Sequence, residues 1–197
     1  AARGRSVHQR DERLCDAADL RAGSTVLDVA CGSGNAAIAA ARLGCDVTGI
    51  DYVPSLLDRG RERAAAERVG LALRHGDAEE IPFGDESFDA VLSVFGSMFA
   101  PDHRRAAEEL VRVTRPGGTI ALAAASRFQP PSSTGDSSRV AASGKAWSIN
   151  GPVVSVLRSL CSIRLLSPSR TIRMVSRIMA GHLPSLCCDC RPASRPC

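Results

Sequence analysis

The sequence predicts a doubly wound α/β domain, a mostly parallel sheet with helices on both faces, left incomplete at its C-terminal end. Three observations carry this prediction. Short apolar strands alternate with helical stretches from about Leu14 to Ala125, the pattern of a parallel sheet covered on both sides. A turn of small residues, CGSG, joins the first of those strands to the helix after it, the place where such sheets receive ligands. Beyond Ser126 the alternation stops and the composition changes.

Taken in order, STVLDVA is a run of buried-strand type, and NAAIAAARL after the glycine turn is built of strong helix formers. CDVTGID is the second strand. PSLLDRGRERAAAERVG is the next helix, opened by Pro54 in its first turn and closed at Gly70. LALRHGDA is the third strand, IPFGDESF a turn-rich loop and DAVLSVF the fourth strand. PDHRRAAEELVRVTRPGG reads as a helix with Leu110, Val111 and Val113 on its apolar side, ending before Pro116 and Gly117, and TIALAAA is the fifth strand. The chain therefore divides into an N-terminal segment (1–13), a core (14–125) and a tail (126–197).

The 197 residues suffice for one domain with a substantial core. Hydrophobic residues at 44% and charged residues at 23% are ordinary for a globular protein, and no apolar run approaches the ~20 residues of a membrane span. The opening AARGRSVHQRDER is basic, has no apolar core of a secretory signal and lacks an initiator Met, so a processed, trimmed or fragmentary chain is expected. The net charge of +4 is concentrated in the last third, and no nucleic-acid partner is expected from it. Cys15, Cys31 and Cys45 read as free thiols of a cytoplasmic protein.

The tail is rich in Ser, Arg, Pro and Cys, with Asp136 and Asp189 as its only acids. GC-rich coding DNA read out of frame yields such a composition, so a frameshifted or poorly ordered segment is expected. PVVSVLRSLCSIRLL and TIRMVSRIMAGHL have helical spacing, with Ile172, Val175, Ile178 and Met179 on one face of the second. His182, Cys187, Cys188, Cys190 and Cys197 are of zinc-ligand type but fit no paired C-x-x-C framework, and no metal is expected. A tail without strands leaves TIALAAA at an exposed apolar edge, an aggregation hazard.

The glycine turn and three acids outline a ligand site. Gly32 and Gly34 let a ligand approach the backbone closely, and the N–H groups opening the next helix face its anionic end. Asp28 precedes the turn inside the first strand. Asp51 ends the second strand, roughly twenty residues on, where a carboxylate accepts from both hydroxyls of a ribose. Asp77 ends the third strand, placed to accept from an adenine amino group while Ala78 offers its N–H. A dinucleotide turn has the form G-x-G-x-x-G, with Ala tolerated at the third place. ACGSGNAA has Ala37 there, which leaves a nicotinamide ligand open, but Asp28 is no part of that fingerprint.

These motifs resemble the class I S-adenosylmethionine-dependent methyltransferases, in particular the small bacterial methyltransferase-domain enzymes. VLDVACGSG is similar to their first motif, GIDYVPSLL to the second, and HGDAEEIPFGDESFDAVLSVFGSMF to the third and fourth. ELVRVTRPGGTIAL is similar to the helix, turn and fifth strand that follow. The resemblance spans about Leu14 to Ala125. It implies a Rossmann-like fold, S-adenosyl-L-methionine as cofactor and a small-molecule methyl acceptor. It also implies that the methionine end lies at Asp28, Ala30, Gly32 and Gly34, the ribose at Asp51 with Tyr52 beside it, and the adenine at Asp77 and Ala78. Ser93, after the fourth strand, is then expected to face the cofactor. Ala30 stands where the family commonly has glycine.

The family's sheet normally closes with an antiparallel hairpin after the fifth strand, and here the resemblance ends before it. No catalytic residue is named, since a base is needed only if the acceptor must lose a proton. The nearest candidate, His103, reads as an exposed helix residue. A cofactor-binding but inactive truncated product and a NAD(P)-dependent oxidoreductase remain as alternatives. The acceptor, the atom methylated and the oligomeric state are not legible.

Overall fold

A computed structural model describes residues 7–124, 172–178 and 187–188. Helix α1 (Val7–Ala17) is followed by β1 (Thr25–Val29), α2 (Asn35–Arg42), β2 (Asp46–Asp51), α3 (Pro54–Glu67) and β3 (Ala72–His75). Then come β4 (Phe88–Val94), a short 3-10 turn (Ser97–Phe99), α4 (His103–Val113) and β5 (Thr114–Ala124), and finally β6 (Arg173–Ile178) and β7 (Cys187–Cys188). The strands lie in one sheet of order β3-β2-β1-β4-β5-β6-β7. All pairs from β3 to β6 are parallel, and β7 is antiparallel to β6.

Alternation along β1 sends Val26 and Asp28 to one face of the sheet and Leu27 and Val29 to the other. On the first face α1 and α2 meet the strands in one buried cluster that includes Leu14, Ala18, Val26, Ala36, Ala40 and Val47. On the second, Ala107, Leu110 and Val113 of α4 pack with Leu27, Val29, Val91 and Ile120. Burying one such Leu, Ile or Val contributes about 1.5–3 kcal/mol. The alanines of α2 pack without bulk, so α1 lies directly against it. Among the described residues no helix is long and apolar enough to cross a membrane.

Three details depart from the sequence expectations. The boundary drawn at residue 14 falls inside α1, because Asp11, Leu14 and Cys15 share its buried face, which Ala18 continues just past its end. Helix α3 ends at Glu67 rather than at Gly70. Arg68 adopts the left-handed conformation (φ +56°) and its N–H caps Ala65 O at 3.1 Å. Strand β5 begins before Pro116, because a bulge absorbs Arg115–Gly118: Phe88 pairs with Thr114, but Ala90 with Thr119. Gly118 permits this, since a Cβ there would stand 2.7 Å from Asp89 O.

The largest departure is in the tail. The segment expected as a second tail helix contains β6, which runs parallel to β5 from Thr119↔Arg173 to Ala124↔Ile178. The open edge of β5 offers unpaired N–H and C=O groups, and a segment bearing Val175 and Ile178 satisfies them. That pairing overrides the helical spacing. The expectation of a tail without strands is therefore corrected, and β5 is not the exposed edge. The closure is also not an antiparallel hairpin built directly on β5. The other helical candidate, within 152–166, and His182, Cys190 and Cys197 lie outside the described residues.

Candidate functional site

Strand β1 has β2 on one side and β4 on the other, so the direction of winding reverses between β1 and β4. At the carboxyl ends of these two strands lies a small open cleft, lined by Asp11, Asp28, Ala30, Cys31, Asn35, Ala36, Val94 and Phe95. A crevice at this point is where doubly wound sheets bind ligands. The two strand exits pass so closely that a Cβ on Gly96 would stand 2.3 Å from Ala30 Cβ. Only glycine fits there.

The turn itself is built on left-handed backbone, with φ +54° at Ala30, +56° at Gly32 and +76° at Gly34. Alanine at the first of these costs about 1 kcal/mol more than glycine. Gly34 caps α2 without a side-chain hydrogen bond. The start of α2 is tied from beneath instead, by the Ala37 N–H donating to Asp28 Oδ2 at 2.9 Å.

Asp28 is 1% exposed, and its Oδ1 has no partner. Burial pushes its carboxyl up to about 8. The Ala37 N–H opposes the rise, while the carboxylates of Asp11 and Asp51 add to it. An acceptor buried without a donor costs about 1–3 kcal/mol. The position therefore suits a ligand donor, best of all a cationic one.

Asp51, also buried, uses both oxygens: Oδ2 accepts from Gly32 N at 2.8 Å and Oδ1 from Val53 N at 2.9 Å. It thus fastens the glycine turn to the end of β2. Each oxygen keeps a further lone pair for a ligand hydroxyl. Asp51→Ala should lower stability by about 1.5–3 kcal/mol, the range for bonds to a charged acceptor, alongside any loss of ligand affinity. Urea melts of the two proteins measure this, and coincident curves would show that the turn holds its place without these bonds.

The remaining expected site residues are less convergent. Asp77 is exposed after β3, and its Oδ1 accepts from Glu79 N at 2.9 Å, with Ala78 half-buried beside it. Tyr52 is 69% exposed. Ser93 lies inside β4 rather than after it. Its hydroxyl is engaged on both sides, donating to Val29 O at 2.9 Å and accepting from Ser97 N at 3.0 Å. Ser93 therefore joins β1 to the loop after β4, while Val94 and Phe95 reach the cleft. His103 is half-buried, and its Nε2 donates to the Met98 carbonyl at 3.1 Å.

Sequence reasoning missed Asp11, Asn35 and Phe95 in the cleft wall. Asp11 left a readable sign. It occupies the position at i of a stripe continued by Leu14, Cys15 and Ala18 at i+3, i+4 and i+7, where an apolar residue belongs.

The order of the sheet, the helices on both faces and the small-residue turn at the switch point define the Rossmann-like doubly wound class. Residues 27–122 match the methyltransferase domain family. An uncharacterised protein of Mycobacterium tuberculosis is 50% identical over 109 residues, 55% of this chain and 40% of that one. Demethylmenaquinone methyltransferase of Staphylococcus aureus is 43% identical over 105 residues, 51% of this chain and 43% of that enzyme. The crystal structure of YcgJ from Bacillus subtilis aligns with a TM-score of 0.56 at 27% identity, covering 58% of this chain and 50% of that one. The chain spans less than half the length of these curated relatives. The family match and the structural likeness together support a class I methyltransferase domain over residues 27–122.

Proposed function

We propose that this domain binds S-adenosyl-L-methionine in the β1–β4 cleft and directs its methyl group to a small-molecule acceptor. The family match supports methyl transfer. The observation that carries the choice of cofactor is Asp28 Oδ1, buried and unpartnered in the cleft wall. The cofactor's amino-acid end carries an ammonium, a donor of the kind this oxygen lacks. The oxidoreductase and the inactive-product alternatives find no support among the relatives.

When bound, the cofactor supplies a methyl group already activated on a sulfonium. The protein's part is to bind, orient and desolvate. In this reading Asp28 holds the ammonium, and Gly32 and Gly34 give backbone access to the methionine end. Asp51 accepts from the ribose on its free lone pairs, and Asp77 and Ala78 address the adenine edge. Phe95 walls the cleft on the β4 side. His103, bonded through Nε2 to Met98 O, keeps Nδ1 available to take a proton from an acceptor that must lose one.

Titration calorimetry tests the assignment. S-adenosylhomocysteine should bind with one site per chain and NADH should give no heat. Binding of NADH without a response to S-adenosylhomocysteine would overturn the reading.

A further inference from the structure

We propose that Arg63, on α3, is the positioning residue that fixes the glycine turn in its ligand-accepting shape. The inference takes its ligand from the cofactor reading above, but its geometry stands without it.

Arg63 Nη1 lies 2.8 Å from the Ser33 carbonyl oxygen, 3.1 Å from Ser33 Oγ and 2.6 Å from Asn35 Oδ1. Three acceptors, drawn from the residues on either side of Gly34, share one nitrogen. Gly60 brings the same helix onto the same spot. A Cβ there would stand 3.3 Å from the Ser33 carbonyl carbon and oxygen, and 2.6 Å from Leu73 Cδ1. Residues 60 and 63 are one turn apart on one face of α3. A close backbone contact and a guanidinium therefore converge on Ser33.

That residue is where the turn most needs restraint. It is flanked by Gly32 and Gly34, both at positive φ and both with more rotational freedom than any other residue type. A trans peptide points its carbonyl and its N–H in opposite directions. With Ser33 O held toward α3, the Gly34 N–H is turned the other way and donates to Cys31 O at 2.9 Å. Asp51 holds Gly32 N and Asp28 holds Ala37 N, but Gly34 gives α2 no side-chain cap, so the restraint on Ser33 itself comes from α3. Arg63 acts on the backbone that meets the ligand and does not touch reacting atoms.

Three variants test this by calorimetry with S-adenosylhomocysteine. Arg63→Met keeps the aliphatic stem and removes the donors, and should bind about tenfold more weakly, the size expected for lost charge-assisted bonds. Arg63→Lys keeps a cation with three donors and should recover part of that loss. Arg59→Ala, on the exposed side of the same helix, should bind as the native chain does. Amide hydrogen exchange of the ligand-free proteins supplies a second readout. Exchange at Gly32–Asn35 should quicken in Arg63→Met while the amides of β1 keep their native protection.

Native affinity and native exchange in Arg63→Met would overturn the proposal. So would equal acceleration across the turn and β1, which marks general destabilisation. If the native chain fails to bind S-adenosylhomocysteine, the cofactor reading falls, and the exchange comparison still decides the role of Arg63.

Discussion

Asp28→Asn should be more stable than the native chain at pH 8 and, on the proposed function, should bind S-adenosylhomocysteine at least about tenfold more weakly. The carboxyl moves from an ordinary 3.8 to about 8 on folding, with burial as the main cause. Between those values the folded chain binds more protons than the unfolded one, so this group makes stability fall as pH rises. Below the ordinary value both states are protonated and the penalty vanishes. Near pH 8 and above it is complete, on the order of several kcal/mol. Asparagine keeps an oxygen for the Ala37 N–H and removes the charge. The stabilisation should therefore be small near pH 4 and largest near pH 8. Thermal melts of both proteins across that range measure it, and a less stable Asp28→Asn at pH 8 would contradict the account.

Glu109→Ala should cost about 1.5–3 kcal/mol, the range for hydrogen bonds to a charged group, since Arg112 is partly exposed and keeps Asp85. Glu109 is 4% exposed; its Oε2 accepts from Ile81 N at 2.8 Å and meets Arg112 Nη2 at 2.7 Å. Arg112 in turn donates to Ile81 O, Phe83 O and Asp85. The pair on α4 thus holds the whole loop that follows Asp77 and Ala78. The hydrogen bond from Arg112 is the chief cause that keeps the Glu109 carboxyl below its ordinary 4.5. Its stabilisation is therefore present above that pH and is lost as pH falls through the lowered folded value. Urea denaturation at neutral pH is the direct measurement. A change within about 0.5 kcal/mol, the scale of an ordinary surface substitution, would mean that the loop holds itself.

The comparison of these two acids shows what a sequence discloses. Asp28 was legible because it stands in a local motif: an apolar strand, an acid and two glycines within a few residues fix its place in the fold. Asp51 was legible for the same reason, although its grip on Gly32 N was not. Glu109 and Arg112 were invisible as a loop clamp, because their partners at Ile81 and Phe83 lie some thirty residues earlier and meet them only once α4 has packed. Ser93 was legible as a residue at the end of the fourth strand, but its bonds to Val29 O and Ser97 N were not, since those partners come from β1 and the next turn. Arg63 reads as one of several charges on an exposed helix until α3 is laid across the glycine turn. The strand β6 was missed because its helical spacing is a local signal and the edge of β5 is not. Local periodicity specified the core elements, and long-range polar contacts specified the site.

In the proposed function, one ligand completes Asp28 and Asp51 together. A crystal structure of this chain with S-adenosylhomocysteine tests that most directly. The expected result is the ligand's ammonium within hydrogen-bond distance of Asp28 Oδ1 and both ribose hydroxyls on Asp51, with the turn from Ala30 to Gly34 unmoved. A ligand seated elsewhere, with Asp28 Oδ1 still bare and Asp51 bonded only to Gly32 and Val53, would contradict it.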